Sequence, residues 1–268
     1  TTEIYTLSLH DALPIFNIRY GLADDGDNHW NHRKELALAR IHAFAPDLLG
    51  LQECRDDAQA DFVRAGLPGY HFFGVHRGGP GDTGLEMAPL LFRRAAFTLI
   101  DSGCFWLSET PDIPGSMGWD SDYPRTVSWA RLACGQTGAA LTYVNTHFDY
   151  QPAAVDGGAR CLRQWLDQLG KATPVIVTAD FNAGKKSNAH RILTGDRALI
   201  DAYGQAHPQQ TNAPTFHGFG VPEEPADIDW ILVSPHFRVL EANIDCSHNG
   251  NVFPSDHYPL TASLDWNP

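Results

Sequence analysis

Short apolar runs in this chain repeatedly end in polar residues. The run Pro174-Val175-Ile176-Val177-Thr178-Ala179 breaks off at Asp180-Phe181-Asn182. A run of that length with almost no polar interruption reads as a central strand buried on both faces. Period-two alternation would turn Asp180 and Asn182 to the same side of its end. Leu48-Leu49-Gly50-Leu51-Gln52-Glu53 repeats the theme, and Phe16, Ile18 and Tyr20 alternate with Asn17 and Arg19 as a half-buried strand. Further strands are predicted near 70–76, 88–93, 96–101, 126–133, 140–147, 229–233, 237–244 and 258–265.

Helical spacing appears between these strands. Ala37, Leu38, Ile41, Phe44 and Ala45 form one stripe, followed by Pro46; Leu162, Trp165, Leu166 and Leu169 form another, closed by Gly170. Shorter helices are predicted over about 56–65 and 187–195. Residues 21–29, 107–124 and 204–227 read as loops. A loop as long as 107–124 inside a domain points to function. Residues 1–14 fit this pattern poorly, because His10-Asp11 and Pro14 interrupt a possible strand at Thr6–Leu9. They read as a leader, either foreign to the rest or disordered, and 15–268, with no repeat or linker, as a single catalytic domain.

With 268 residues, 43% hydrophobic and 11% aromatic, the chain has ample material for one large α/β core. A net charge of −13 argues against a broad basic face that would hold nucleic acid by phosphate neutralisation alone. Nucleic acid stays possible where bound cations offset that charge. The cysteines at 54, 104, 134, 161 and 246 show no zinc spacing and read as buried free thiols. No apolar run approaches the ~20 residues of a membrane span, so the chain reads as soluble with its compartment open.

The chemistry lies at the strand ends: Asn17, Glu53, His147, Asp180 with Asn182, Asp229, and Asp256 with His257, while Glu86 opens a further strand. Any one of these has an ordinary explanation as a turn former or cap. Their recurrence is harder to dismiss, since ligands of open α/β sheets gather where strands end. Carboxylates and amides without cysteine suit a hard cation such as Mg²⁺ or Mn²⁺. No nucleophile elbow, P-loop or dinucleotide fingerprint competes. Metal-assisted hydrolysis of a phosphate ester by water is the chemistry left.

Phe16-Asn17-Ile18-Arg19, Leu51-Gln52-Glu53, Asn145-Thr146-His147-Phe148-Asp149, Thr178-Ala179-Asp180-Phe181-Asn182, Asp227-Ile228-Asp229-Trp230 and Pro254-Ser255-Asp256-His257 stand in the order seen in the endonuclease/exonuclease/phosphatase superfamily. Phe105-Trp106-Leu107-Ser108-Glu109-Thr110-Pro111 resembles its bacterial branch. The resemblance implies a four-layer α/β sandwich, two mixed sheets face to face with helices outside. It implies Asn17 and Glu53 as metal ligands with Asp256 nearby, and Asp180 and Asn182 as water-orienting and phosphate-binding groups. It pairs His257 with Asp229, makes Glu86 and His147 an assisting pair in proton transfer or phosphate binding, and makes Arg125 a phosphate contact. His147 stands where abasic-site repair members differ, which makes that activity the less expected one.

The expected activity is therefore metal-dependent phosphoester hydrolysis, a small or short phosphodiester first. A nuclease acting on DNA or RNA is the alternative, and a non-catalytic scaffold a remote one. Lys185-Lys186 and the cluster His29, His32, Arg33 and Lys34 are candidate phosphate grips or ordinary surface charge. Trp106, Trp119 and Tyr123 are candidate stacking surfaces or packing.

Overall fold

The computed structural model describes residues 8–197, 199–210, 213–221 and 226–267. In chain order these form β1 (Ser8–Asn17), α1 (Trp30–Phe44), β2 (Leu48–Gln52), β3 (Cys54–Arg55), α2 (Ala58–Gly66), β4 (Tyr70–Phe73), β5 (Glu86–Met87), β6 (Leu90–Arg93) and β7 (Phe97–Trp106). They continue through β8 (Thr126–Cys134), β9 (Ala140–His147), α3 (Pro152–Leu169), β10 (Val175–Asp180), α4 (Asn188–Thr194), β11 (Ile200–Asp201) and α5 (Ala202–Ala206). β12 (Asp229–Val233), β13 (Phe237–Ile244) and β14 (Leu260–Trp266) complete the set.

Two six-stranded sheets result, ordered β13-β14-β1-β2-β6-β4 and β11-β12-β10-β9-β8-β7, with β3 and β5 forming a separate ribbon. Both are mixed: β1 runs parallel to β2 and β9 parallel to β10, while their other pairings are antiparallel. The apolar residues sort by period two. Ile15, Leu48, Tyr143, Ile176 and Ile231 fill the core between the sheets. Their neighbours turn outward: Phe16 and Leu49 pack with Ala37, Ile41 and Val63 of α1 and α2. Val144 and Val177 pack with Leu162 and Leu193 of α3 and α4. Helix, sheet, sheet, helix is the four-layer sandwich.

A polar bridge crosses the inter-sheet core. Asn145 Oδ1 accepts from Gln52 Nε2 at 2.7 Å and from Thr178 Oγ1 at 2.9 Å, and its Nδ2 donates to the Leu51 and Pro89 carbonyls. Gly50 makes room for it, since a Cβ there would lie 2.3 Å from both Asn145 Oδ1 and Thr178 Oγ1. Arg33, only 1% exposed, is a second buried polar centre. Its guanidinium donates to the carbonyls of Ile18, Arg19, Asn28 and Pro254, which is how a buried charge is tolerated. It is a structural cross-tie rather than a phosphate grip.

Several elements differ from the sequence pattern. β1 begins at Ser8 and runs through Pro14, and the interruption takes the form of a bulge between Leu9 and Leu13. Proline is tolerated there because pairing with β2 starts only at Ile15. The rest of the predicted leader, residues 1–7, lies outside the described residues. α3 starts ten residues before its apolar stripe, its first turns hidden by Ala153, Ala154, Gly157 and Gly158. α5 occupies the start of the predicted loop 204–227. Of the cysteines, 54 and 134 are buried, 104 and 161 half-buried, and 246 is exposed. Among the described residues no helix is long and apolar enough to cross a membrane.

Candidate active site

The inward-facing rows of the two sheets change character at one end. Ile15 gives way to Asn17, Tyr143 and Asn145 to His147, Ile176 and Thr178 to Asp180, and Ile231 to Asp229. The candidate site is thus the polar end of the inter-sheet core. On the second sheet His147, Asp180 and Asp229 are neighbours across three strands, with Asp180 in register with both others. The chain then leaves its strands through left-handed residues. Arg19 (φ 58), Glu53 (φ 56), Leu85 (φ 56) and Asn182 (φ 48) all adopt this conformation beside the cleft. Such backbone is costly for residues other than glycine and gathers where a side chain must be aimed. Asn182 therefore reaches the side of Asp180 through a tight turn, its N–H on Asp180 Oδ1 at 3.0 Å, and not by strand alternation.

Asp180 is the hub. Its Oδ2 accepts from Asn17 Nδ2 at 2.9 Å and lies 3.6 Å from His147 Nε2 and 3.7 Å from His257 Nε2. Burial and the nearby Asp229 carboxylate raise its pKa. His257 holds Asp229 through Nδ1 at 2.8 Å. Burial would lower the pKa of His257, but Asp229 and Asp180 outweigh it and push it up to about 10. His147 is the opposite case: burial, with Arg125, Arg77 and His257 around it, drives its pKa well below 6.5. Its Nε2 stands 3.0 Å from Asn182 Nδ2, whose other proton goes to the Phe148 carbonyl. Nε2 is therefore the acceptor and Nδ1 carries the hydrogen. One histidine is a cation and the other a neutral donor.

Glu53 and Asp256 form an acidic corner beside this hub. Glu53 accepts from Asn17 Nδ2 at 3.1 Å and from the Tyr20 N–H at 2.8 Å. Burial would raise its pKa, but Arg19, Asn17 and Tyr20 hold it below the usual value. Asp256 is raised by burial and by the charge of Glu53. The Arg19 guanidinium reaches toward both, 4.0 Å from Glu53 and 3.6 Å from Asp256, while its hydrogen bonds go to Asp25. Two carboxylates gathered around one guanidinium, with the Asn17 amide hydrogen-bonded to Glu53, supply the oxygen ligands a hard divalent cation prefers. Asp180, Asp229 and His257 also offer ligand atoms within 4.8 Å of one another. Because Nδ1 of His257 is already engaged by Asp229, that trio fits a proton-holding relay better than an ion cage.

The opposite wall is basic. Arg77 donates to Glu86 at 2.6 Å and lies 4.5 Å over the Tyr123 ring, while Arg125 lies 5.6 Å from the same ring. Arg125 Nε contacts Asp149 at 3.4 Å; its Nη1, like Nδ1 of His147, is buried without a hydrogen-bond partner among the described residues. Both line a pit of about 10 Å³, room for one oxygen atom. Glu86 Oε1 stands 3.8 Å from His147 Nδ1, and burial pushes its pKa to about 7 despite Arg77.

The structure thus brings Asn17, Glu53, Glu86, Arg125, His147, Asp180, Asn182, Asp229, Asp256 and His257 to one cleft of about 680 Å³ or its immediate wall. Of the other candidates, Tyr123 lines this cleft too; the rest do not. Lys185 pairs with Asp201, Lys34 lies over Phe62, and Trp106 is buried with its indole N–H on the Arg77 carbonyl. Sequence reasoning missed Arg77 and the aromatic lining of Tyr20, Tyr150 and Phe216. Arg77 is placed by two interlocked loops: a Cβ on Gly79 would meet the Pro114 backbone at 2.9 Å, and one on Gly115 the Gly78 carbonyl at 2.5 Å. Paired glycines were its only signal.

A family model described as Endonuclease/Exonuclease/phosphatase family matches residues 15–257. An endonuclease/exonuclease/phosphatase from Bacteroides vulgatus is similar in structure, with TM-score 0.87 and 34% identity over 96% of this chain and 98% of that one. A mannosyl-6-phosphatase from Bacteroides thetaiotaomicron aligns with TM-score 0.85 and 28% identity, over 94% of this chain and 98% of that one. An uncharacterized protein of Acanthamoeba polyphaga mimivirus is 24% identical over 164 residues, 59% of this chain. The match spans 60% of that curated relative's length.

Proposed function

The chain belongs to the endonuclease/exonuclease/phosphatase family, a family of ester-bond hydrolases generally dependent on divalent metal, and on that premise we propose that it hydrolyses a small phosphate ester by in-line attack of water. The observation that carries this reading is the position of Asp180 Oδ2, bracketed by two histidines and tied through Asn17 to Glu53. Asp180 orients the attacking water and receives its proton; its raised pKa suits that task. The new O–P bond forms as the bond to the leaving oxygen breaks. His257, held cationic by Asp229, stabilises charge on the phosphoryl oxygens. Asn182, Arg125 and the Nδ1–H of His147 bind the phosphate, with Glu86 behind His147.

Glu53, Asp256 and Asn17 would hold the metal, Mg²⁺ or Mn²⁺. Bound there, it would polarise the phosphoryl oxygen and offset the acidic corner.

The cleft's volume and the net charge of −13 favour a short ester over a long polynucleotide. A diester is the first substrate to try, and the mannosyl-6-phosphatase relative adds phosphorylated sugars. The test is a panel of bis(p-nitrophenyl) phosphate, sugar phosphates, plasmid, single strands and RNA with Mg²⁺, Mn²⁺ or EDTA. Metal-dependent turnover of a small ester, abolished by EDTA, is expected. Nicking of plasmid alone would make the chain a nuclease, and inactivity throughout would overturn the reading.

A further inference from the structure

A second cavity, about 690 Å³, shares no lining residue with the catalytic cleft. It lies on the helix-covered side of the second sheet, where α3 leaves β7 and β8 incompletely covered. Its size falls within the ~300–1,000 Å³ range of small-ligand pockets. Three indoles line it, and glycines seat two of them. Trp119 lies on Gly157 of α3, where a Cβ would be 2.1 Å from its ring, and Trp129 lies across Gly103, where a Cβ would be 2.8 Å away. Trp119 is held there at φ 54, a left-handed conformation rare for so bulky a residue. Trp165 stands beside Trp129 with ring centroids 5.8 Å apart. All three are only partly buried, which leaves ring surface facing the cavity.

The polar lining is as distinctive. Arg160, Gln164 and Gln168 project from α3 at i, i+4 and i+8, an exposed stripe bordering the one that carries Trp165. Glu109 and Asp112 face them from the loop 107–124. Opposite charges line one cavity, yet among the described residues none of these five side chains makes a hydrogen bond or ion pair with another protein group. Donors and acceptors of both kinds are left available around aromatic faces.

That combination selects a ligand class. The negative face of an indole attracts the polarised C–H bonds on one side of a pyranose ring, while amide, guanidinium and carboxylate groups bond its hydroxyls. A phosphate-bearing strand could also stack on tryptophan, but here two carboxylates oppose a single guanidinium. We propose that this cavity is a carbohydrate-binding site for a neutral oligosaccharide, with a sugar ring stacked on Trp129 and Trp165 and its hydroxyls bonded by Arg160, Gln164 and Gln168. The site is independent of the catalytic reading and stands or falls separately from it.

The test is binding of the full chain to an array of neutral glycans, followed by titration of the captured glycan against intrinsic tryptophan fluorescence. Saturable binding is expected, lost in Trp165→Ala. Because Trp165 also packs on Phe105, the exposed Gln164→Ala and Arg160→Ala variants keep the proposal testable; each should weaken binding about tenfold, one hydrogen bond's worth. All three should keep wild-type turnover of bis(p-nitrophenyl) phosphate. The proposal is overturned by failure of every neutral glycan to bind, by unchanged binding in the exposed variants, or by binding of a single-stranded oligonucleotide in their place.

Discussion

His147 and His257 approach one carboxylate oxygen from two sides, their Nε2 atoms 3.6 and 3.7 Å from Asp180 Oδ2. They do so in opposite states of charge, His257 held protonated by Asp229 and His147 held neutral by burial and nearby arginines. The asymmetry divides the labour of the site between a fixed positive charge and a neutral hydrogen-bond donor.

Asp180→Asn keeps the shape and the bond to Asn17 but removes the base. Turnover of the preferred ester should fall roughly 10²–10⁴-fold, with the circular dichroism spectrum unchanged. A folded variant with near-wild-type rates would remove Asp180 from the mechanism.

Glu86 sets an acid limb. It is faced by Arg77 and His147, and burial, with Glu53 and Asp82 nearby, lifts it to about 7 against the pull of Arg77 and Arg125. If its charge supports His147, kcat/KM should rise as pH climbs through that value, and Glu86→Gln should flatten this limb of the profile. The same shift has a stability sign. A carboxyl raised in the folded state stabilises it in the protonated form, fully below its ordinary value and progressively less as pH passes 7. Glu86→Gln should therefore raise Tm more above neutral pH than in acid.

Glu53→Gln weakens the corner assigned to the metal without touching the histidines. The Mg²⁺ needed for half-maximal activity should rise by about 10–100-fold or more, with much of kcat recovered at saturating metal. An unchanged Mg²⁺ requirement would place the ion elsewhere, the Asp180–Asp229–His257 trio being the next set to examine.

Gly115→Ala puts a Cβ 2.5 Å from the Gly78 carbonyl at a φ of +77. The clasp must shift, taking Arg77 with it. A displacement on the order of 1 Å at a cleft-lining group can lower kcat/KM ~10²-fold, and metal affinity should not follow.

Gly50→Ala probes the inter-sheet bridge. Its Cβ would collide with Asn145 and Thr178, which cannot move without leaving Gln52 unpaired. Destabilisation of about 1–3 kcal/mol is expected in denaturant unfolding.

Much of this fold was legible because its signal is local. The runs at 48–52, 175–180 and 229–233 needed no tertiary information, and the polar residues ending them marked the cleft. Glu53 and Asn182 were found by motif, but their left-handed turns were not, since nothing in Gln52-Glu53-Cys54 or Phe181-Asn182-Ala183 announces a positive φ. Asn145 and Gln52 looked like strand interior; only the facing sheet reveals them as partners. Arg77 was invisible because two loops distant in sequence place it. Arg33 was misassigned because a cation in a histidine-rich stretch looks like surface until the carbonyls around it are seen.

The strand Ser8–Asn17 sits between β14 and β2, and Arg33 fastens its far end to the Pro254 carbonyl. Synthesis from the N-terminus must therefore leave one edge of that strand bare until Leu260–Trp266 have emerged from the ribosome. Open strand edges invite wrong pairing, so the nascent chain carries this exposure while every element between β1 and β14 is made. A stalled chain ending before Leu260 should be inactive and protease-sensitive, and extending it through Trp266 should cure both together.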